Sequence, residues 1–385
     1  LLGWPYEQTG AKPDNPQGCK TLHPLNTEAP IYEAEVAEGL EDIAQAEIQN
    51  ILGHDATIHT QKRGGAVRFS YTDDVQALEQ FKTVIAVYRS LLFDVPRPKA
   101  LLGHQHFHQL SQHIRQIVQA HPQGAFHTLS INAAGSDSSV MRRLKDELAA
   151  QLALQVTEDT GDLLLRVRRP RTSKQERTQG KGNNAGWEIL LRLTPRPLAT
   201  RHWRVGNMQG ALNAGVARAM LHLLQPEAGA TMLNMACGSG TLLIERHHMQ
   251  PDSHSIGCDI NAHALSIAQA NINAAASTQS TSLLRADAQA LPLPTNSLRY
   301  LCADLPFGQL VGSHAENVTL YPAILHEAAR VAAINARFAL ITHEVKLMSH
   351  ILHAQNAWIT EHERIITLTG LHPRIFVLKR QATPV

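Results

Sequence analysis

The sequence predicts an α/β protein: a doubly wound, mostly parallel sheet closed by an antiparallel hairpin, preceded by an α+β region. Three observations predict it. From about Met208 onward strand-like and helical runs alternate, as right-handed crossovers between parallel strands require. A glycine turn at Gly238-Ser239-Gly240 joins the first of those strands to a helix. The last two strand runs, IITLTG (365–370) and RIFVLKR (374–380), have no helix between them, which implies an antiparallel closing pair.

The elements follow in order. IYEAEVAEGLEDIAQAEIQNIL (31–52) reads as a strand and then a helix with apolar residues at helical spacing. GGAVRFSY (64–71) is a strand, and DVQALEQFKTVIAVYRSLLF (74–93) a helix followed by a strand. A helix around His108–Gln119 leads to the strand FHTLSINAAG, then to the helix SSVMRRLKDELAAQL and two strands at 163–169 and 187–193. The segment joining those two strands has turn formers, four basic residues and almost nothing apolar, so it is expected to be a mobile hairpin tip. Beyond it come the helix MQGALNAGVARAMLHLL (208–224) and the strand ATMLNMA. SIGCDI, LLRADA, YLCADLP and FALITHE then read as strands separated by helices.

At 385 residues, 43% hydrophobic and 18% charged, the chain has room for two or three domains with their own cores. No apolar run approaches the roughly 18 residues that a membrane span needs, and the first 30 residues lack the apolar core of a signal peptide. A cytoplasmic protein with no membrane contact is expected, with residues 1–30 as a disordered tail. The four cysteines show no CxxC spacing and suit reduced thiols rather than a disulfide framework. Of the 22 histidines, HQHFH (104–108) and His247-His248 cluster, but neither has a second ligand group at metal-site spacing, so no metal is expected.

Net charge is only +2, yet it is unevenly distributed. Between Arg166 and Arg204 eleven Lys/Arg face two acids, a local net of +9, leaving −7 for the rest of the chain. Such a block predicts a polyanion partner, the alternative being a solvated basic hairpin. The candidate contacts are Arg166, Arg168, Arg169, Arg171, Lys174, Arg177, Lys181, Arg201 and Arg204.

Four successive strands deliver chemistry to one sheet edge, the carboxyl edge where such folds bind ligands. The first ends in LNMACGSGTLLIE (233–245), whose glycines permit close backbone approach beside a helix N-terminus. It is neither a full dinucleotide fingerprint, since Leu243 stands where the third glycine belongs, nor a Walker loop. The second ends at Asp259, 21 residues after Gly238, the spacing at which an acid reaches ribose hydroxyls. A helix N-cap is the alternative role for Asp259. The third ends at Asp287, placed to meet an adenine amine or to sit as a polar loop residue. The fourth ends in Asp304-Leu305-Pro306-Phe307-Gly308. There Asp304 and the carbonyls of Leu305 and Pro306 can accept hydrogen bonds from a planar NH₂ group, while Phe307 stacks on the attached ring.

CGSGT, Asp259 and DLPFG together resemble the class I S-adenosylmethionine-dependent methyltransferases that act on exocyclic amines, whose fourth motif is [DN]-x-P-[YF]. The upstream YEAEVAEGLEDIAQAEI, the basic strands, LTPRPLATRHWR and GALNAGVARAM are similar to the THUMP-domain RNA guanine-N2-methyltransferases. The resemblance covers about residues 31–380. It implies a ferredoxin-like domain at 31–100, a THUMP domain at 101–200 and a Rossmann-like methyltransferase domain at 201–385. By the same resemblance Asn234, Ala236, Cys237, Gly238 and Gly240 surround the methionine part of S-adenosylmethionine. Asp259 holds its ribose, Asp287 with Ala288 its adenine, Ile260 belongs to the same cofactor site, and Asp304 to Phe307 hold the target amine, with Asp304 also beside the cofactor.

Two departures stand out. Asn234 replaces the acid that usually opens the glycine motif, removing a charge that could face the cofactor's ammonium. Gln309-Leu310 stands where relatives often carry a basic residue. The reaction implied is N2-methylation of guanosine in tRNA, in the acceptor stem near position 6, by a monomer. The short connection between Glu245 and Gly257 fits the tRNA branch. The alternatives are another planar amine (ribosomal RNA guanine, DNA adenine or cytosine, protein glutamine) or a catalytically silent RNA-binding module.

Overall fold

Alternation of half-buried and buried residues along Ala66–Tyr71 and unbroken burial along Met232–Met235 mark two kinds of strand, and they belong to two different sheets. The structure is a computed structural model that describes residues 29–59, 64–170, 186–307, 313–367 and 370–382.

The N-terminal half comprises β1 (Ile31–Glu35), α1 (Glu41–Leu52), β2 (Ala56–His59), β3 (Ala66–Tyr71), β4 (Ala86–Phe93), α2 (His104–Gln119), β5 (Thr128–Ala133), α3 (Ser139–Leu152), β6 (Gln155–Val156), β7 (Leu163–Arg168) and β8 (Trp187–Arg192). They form one eight-stranded sheet in the order β2-β3-β1-β4-β8-β7-β5-β6. The antiparallel pair β4–β8 carries this sheet across residue 100, joining strands on both sides of it. The helical reading of 74–80 is a short 3-10 turn, and β2 and β6 are short strands that the sequence pattern did not reveal. Ser138 caps α3 by accepting the Met141 amide, so that helix starts where its cap residue predicts.

The C-terminal half comprises α4 (Ala214–Leu224), β9 (Met232–Met235), α5 (Thr241–Met249), β10 (Ser255–Asp259), α6 (Ala262–Ala274), β11 (Thr281–Arg285), β12 (Leu298–Asp304), α7 (His314–Val331), β13 (Ala332–Thr342), α8 (Val345–His353), β14 (Trp358–Ile365) and β15 (Arg374–Arg380). The sheet order is β11-β10-β9-β12-β13-β15-β14, parallel except for β15, which pairs antiparallel with β13 and β14. The closing hairpin is therefore present, but its first strand is not IITLTG. It is WITEHERI, a largely exposed edge strand, while Ile366 is buried and Thr367 bridges to Glu38. The helix read from Met208 also starts later. Asn213 caps it by accepting the Gly215 and Val216 amides, so 208–212 lies outside the helix.

Two joints connect the halves. At the first, the fully buried Glu245 carboxylate accepts from Arg201 Nε at 2.8 Å and Arg218 Nε at 3.0 Å, while Arg201 Nη2 donates to the Lys82 carbonyl at 2.6 Å. Here α4 comes so close that a Cβ on Gly215 would stand 2.7 Å from the Thr83 carbonyl oxygen. At the second, Glu38 and Thr367 exchange backbone hydrogen bonds of 3.0 and 2.9 Å, and Arg364 donates to Asp42 and to the Gly39 carbonyl.

Candidate active site

β9 neighbours both β10 and β12, whose connections leave on opposite sides, so the sheet's topological switch point falls between the glycine turn and Asp304. A cavity of about 350 Å³ opens there. Of the residues expected to bind cofactor, Asn234, Ala236, Cys237, Gly238, Asp259, Ile260, Asp287, Ala288 and Asp304 all line it, as do Leu305, Pro306 and Phe307. Gly240 does not; it precedes α5 at φ +80°, with Ala268 packed behind it.

The glycine loop is built by its backbone. Ala236 has φ +51°, a left-handed conformation that costs a non-glycine residue about 1–2 kcal/mol, and Gly238 follows at φ +52°. The Asp259 carboxylate fixes this loop: Oδ2 accepts the Gly238 amide at 2.9 Å and Oδ1 the Asn261 amide at 2.9 Å. Asn261, not Asp259, caps α6. Each Asp259 oxygen retains a second lone pair for a ligand hydroxyl. Ile260, 64% exposed, offers an apolar face at the rim, and Asp287 accepts the Gln289 amide at 2.9 Å.

Two orphaned polar atoms test the cavity's chemistry. Asn234 Nδ2 donates to the carbonyls of Met235 and Cys302, each at 3.3 Å, which fixes the amide orientation and leaves its buried Oδ1 without a partner. Asp304 Oδ1 is likewise buried and unpartnered, and burial pushes the carboxyl up to about 7. Acceptors left unsatisfied at a cavity wall suit a ligand that brings N–H groups.

The DLPF turn is held from behind. The Pro306 carbonyl accepts from Tyr321 Oη at 2.7 Å and Asn317 Nδ2 at 3.0 Å, so it is turned into the protein rather than toward a target amine. This corrects the expected pair of outward carbonyls: of the two, only that of Leu305 accepts no hydrogen bond from the described residues. Phe307 packs edge-on against His343, centroids 4.2 Å apart, and burial lowers the His343 pKa.

The sequence reading missed several residues that shape the site. Residues 208–212 and Leu320 and Ile324 line the cavity. Fully buried Asn271 ties Gly206 to the glycine loop by accepting the Gly206 amide at 2.8 Å and donating to the carbonyls of Gly206 and Ser239, each at 3.0 Å. The signals were there for the first group, in the Asn213 cap and in Gly210 just before it, but Asn271 sits in an ordinary helical pattern.

The basic block divides. Arg171, Lys174, Arg177 and Lys181 lie outside the described residues. Arg201 is a buried joint residue, and Arg204 donates to the Leu212 carbonyl at 2.9 Å and to Thr241 Oγ1 at 3.0 Å, propping the cavity wall. Arg168 is engaged by Glu33 and Glu188. These three are structural, because a charge count cannot distinguish a buried ion pair from a surface cation. Arg166 pairs with Glu35 at 3.0 Å and stacks on Tyr88, and the exposed Arg169 stacks on Trp187.

Residues 201–374 match the model of the UPF0020 family, the RMKL-like methyltransferase domain. Over these residues the C-terminal half is similar to an RMKL-like methyltransferase domain. Among curated proteins, this chain is similar to the mouse tRNA (guanine(6)-N(2))-methyltransferase THUMP3, 30% identical over 184 residues, covering 44% of this chain and 36% of that protein. It is also similar to the mouse U6 snRNA (guanine-N(2))-methyltransferase THUMPD2, 32% identical over 157 residues, covering 40% of this chain and 28% of that protein. The chain thus spans about a third of the length of these relatives. Among solved structures, TrmN from Thermus thermophilus matches with a TM-score of 0.67 at 22% identity, over 91% of this chain and 99% of that one. A possible methylase from Clostridium difficile 630 matches with a TM-score of 0.64 at 14% identity, over 93% and 100%. These likenesses extend the shared fold across both halves, and the C-terminal half carries its glycine turn and its DLPF turn at one sheet edge.

Proposed function

We propose that the chain methylates the exocyclic N2 amine of a guanosine in tRNA, using S-adenosylmethionine. The observation that carries this reading is Asp304, an acceptor with one unpartnered buried oxygen, standing beside the free Leu305 carbonyl and the Phe307 ring in a cavity that also holds the glycine loop. The relatives named above, which act on guanine N2 of tRNA and U6 snRNA, support the choice of atom and polymer. The acceptor stem near position 6 is the finer target, and a cytoplasmic monomer the working form.

The cavity residues fit S-adenosylmethionine. Asn234 Oδ1 suits the cofactor's ammonium, Asp259 its ribose hydroxyls, Asp287 and Ile260 its adenine. When bound, its sulfonium supplies an electrophilic methyl group. The remaining steps belong to the chain. Phe307 stacks on the guanine, offsetting part of the stacking that is lost when the base leaves a helix. Asp304 and the Leu305 carbonyl each accept one N2 hydrogen, aiming the weakly nucleophilic nitrogen and stabilising the positive charge that grows on it. With its carboxyl pushed up to about 7, Asp304 can also take the proton that the methylated amine releases. Residues 31–100 act as a ferredoxin-like domain and 101–200 as a THUMP domain, with Arg166, Arg169 and the 171–185 segment meeting the RNA.

Incubating the protein with labelled S-adenosylmethionine and unmodified tRNA, then analysing nucleosides by mass spectrometry, tests the reading. N2-methylguanosine in tRNA is expected; label in DNA or protein alone overturns it.

A further inference from the structure

A second cavity, of about 540 Å³, lies on the seam between the two halves. Helix α1 and the turn at 80–82 wall one side; Arg218 and His222 of α4 and His248 at the end of α5 wall the other. It shares no lining residue with the methyl-transfer cavity. Helix α5 begins at that first cavity and reaches His248 two turns on, about 10 Å along its axis.

The acids of the seam are already occupied. Glu47 accepts the Lys82 and Thr83 amides, each at 2.9 Å, and also the Thr83 hydroxyl. Asp42 accepts from Arg364, and Glu245 from Arg201 and Arg218. The bases are different. Among the described residues Lys82 Nζ and the rings of His222 and His248 have no hydrogen-bond partner, and Arg218 donates only through Nε. In the lining Lys82 and Arg218 balance Asp42 and Glu47, and the paired neighbours Arg201, Arg364 and Glu245 add one net positive charge beside it before either imidazole is protonated. Burial lowers the pKa values of Lys82, Arg218, His222 and His248, the condition an arriving anion relieves.

We infer that this seam binds a phosphate-bearing ligand through Lys82, Arg218, His222 and His248. An ammonium, two free guanidinium nitrogens and two imidazoles offer donors from several directions, which matches an anion with several oxygens better than a single carboxylate. Ile43, Ile51 and Met249 line the same cavity and provide apolar surface for the body that carries the phosphate. The ligand touches both halves, so its binding holds them at the angle seen here. The phosphate comes either from an RNA backbone or from a free phosphorylated molecule. The inference is independent of the methyl-transfer reading.

Calorimetric titration of the full chain with inorganic pyrophosphate tests it. Wild-type protein is expected to bind. The double variant Lys82→Met, His248→Leu is expected to bind at least about tenfold more weakly, the loss of one or more charge-assisted hydrogen bonds. Its melting temperature and S-adenosylmethionine affinity should stay as in wild type, and Lys82→Arg should retain pyrophosphate binding. Should the double variant not fold, His222→Gln alone is expected to weaken binding severalfold. No binding to wild type, or equal binding to the variants, overturns the inference. Repeating the titration with tRNA present identifies the source: displacement means an RNA phosphate, and simultaneous binding means a free ligand, and either upholds the site.

Discussion

The Tyr321 hydroxyl donates to the Pro306 carbonyl at 2.7 Å and stands at the end of a directed chain of donors. A carbonyl can only accept, so the single Tyr321 proton points at Pro306, and the 2.7 Å contact between Tyr321 and Thr342 must carry the Thr342 proton. The Glu344 amide in turn donates to Thr342 Oγ1 at 2.9 Å. The turn that presents Asp304 is thus fixed by α7 and by the end of β13.

Tyr321→Phe should therefore lower turnover by about tenfold to a hundredfold, because displacing a positioned group by even 1 Å is costly. Affinity for S-adenosylmethionine should not change. Single-turnover rates beside calorimetry check this; an unchanged rate would mean that Asn317 alone holds the turn.

Asp304→Ala should abolish turnover while leaving cofactor and RNA binding within a few-fold, and Asp304→Asn should be intermediate because an amide oxygen still accepts one hydrogen bond. Phe307→Ala should cost about 1–3 kcal/mol in binding or turnover through lost stacking, and Phe307→Tyr little. Rates and melting curves measured on the same four variants check the pattern. An active Asp304→Ala enzyme would sink the mechanism.

The same carboxyl makes a stability prediction with a definite sign. Its folded pKa of about 7 lies above the unfolded value of 3.8, so the folded state holds the proton more tightly. Folding is favoured while the group is protonated, and that advantage is lost as pH rises from about 4 to about 7. Asp304→Asn should consequently gain stability relative to wild type across that window, levelling off above it at about 4 kcal/mol, since each pH unit between the two pKa values is worth about 1.4 kcal/mol. Denaturant unfolding of both proteins at pH 4, 5.5, 7 and 8 measures the difference. A constant gap refutes the assignment.

Glu245→Ala leaves Arg201 and Arg218 buried without a carboxylate and should destabilise the protein by about 3–5 kcal/mol. Chemical denaturation checks the magnitude. A change below about 1 kcal/mol would show that water reaches the joint.

Replacing Arg171, Lys174, Arg177 and Lys181 by serine should weaken tRNA binding and flatten its dependence on salt, since each phosphate contact adds close to one counterion to the slope. Filter binding between about 50 and 200 mM salt measures it. An unaltered slope removes this segment from the interface.

The C-terminal sheet was legible because its central strands are buried on both faces and read as uninterrupted apolar runs that end in the residues a ligand meets. β14 was not, because an edge strand exposed along most of its length needs no apolar pattern, and the apolar IITLTG beside it drew the assignment instead. The cavity wall at 208–212 was hidden by a helical rhythm that the Asn213 cap cuts short. Tyr321 and Asn317 lie in a long helix whose spacing announces only packing, so nothing local tells that they reach Pro306. Arg201 and Arg204 were misread for a different reason: their carboxylate, carbonyl and hydroxyl partners, Glu245, Leu212 and Thr241 among them, become neighbours only after folding.

The pairing of β4 with β8 has a consequence for synthesis. Residues 86–93 find their partner at 187–192, about a hundred positions later. At a translation rate of roughly 5–20 residues per second, the edge of β4 waits about 5–20 s on the ribosome with its ladder groups unsatisfied. During that interval the nascent chain carries an open strand that any other extended segment can join. Slowing translation between codons 94 and 187 should therefore raise the fraction of aggregated product, and a chaperone holding the early strands should lower it.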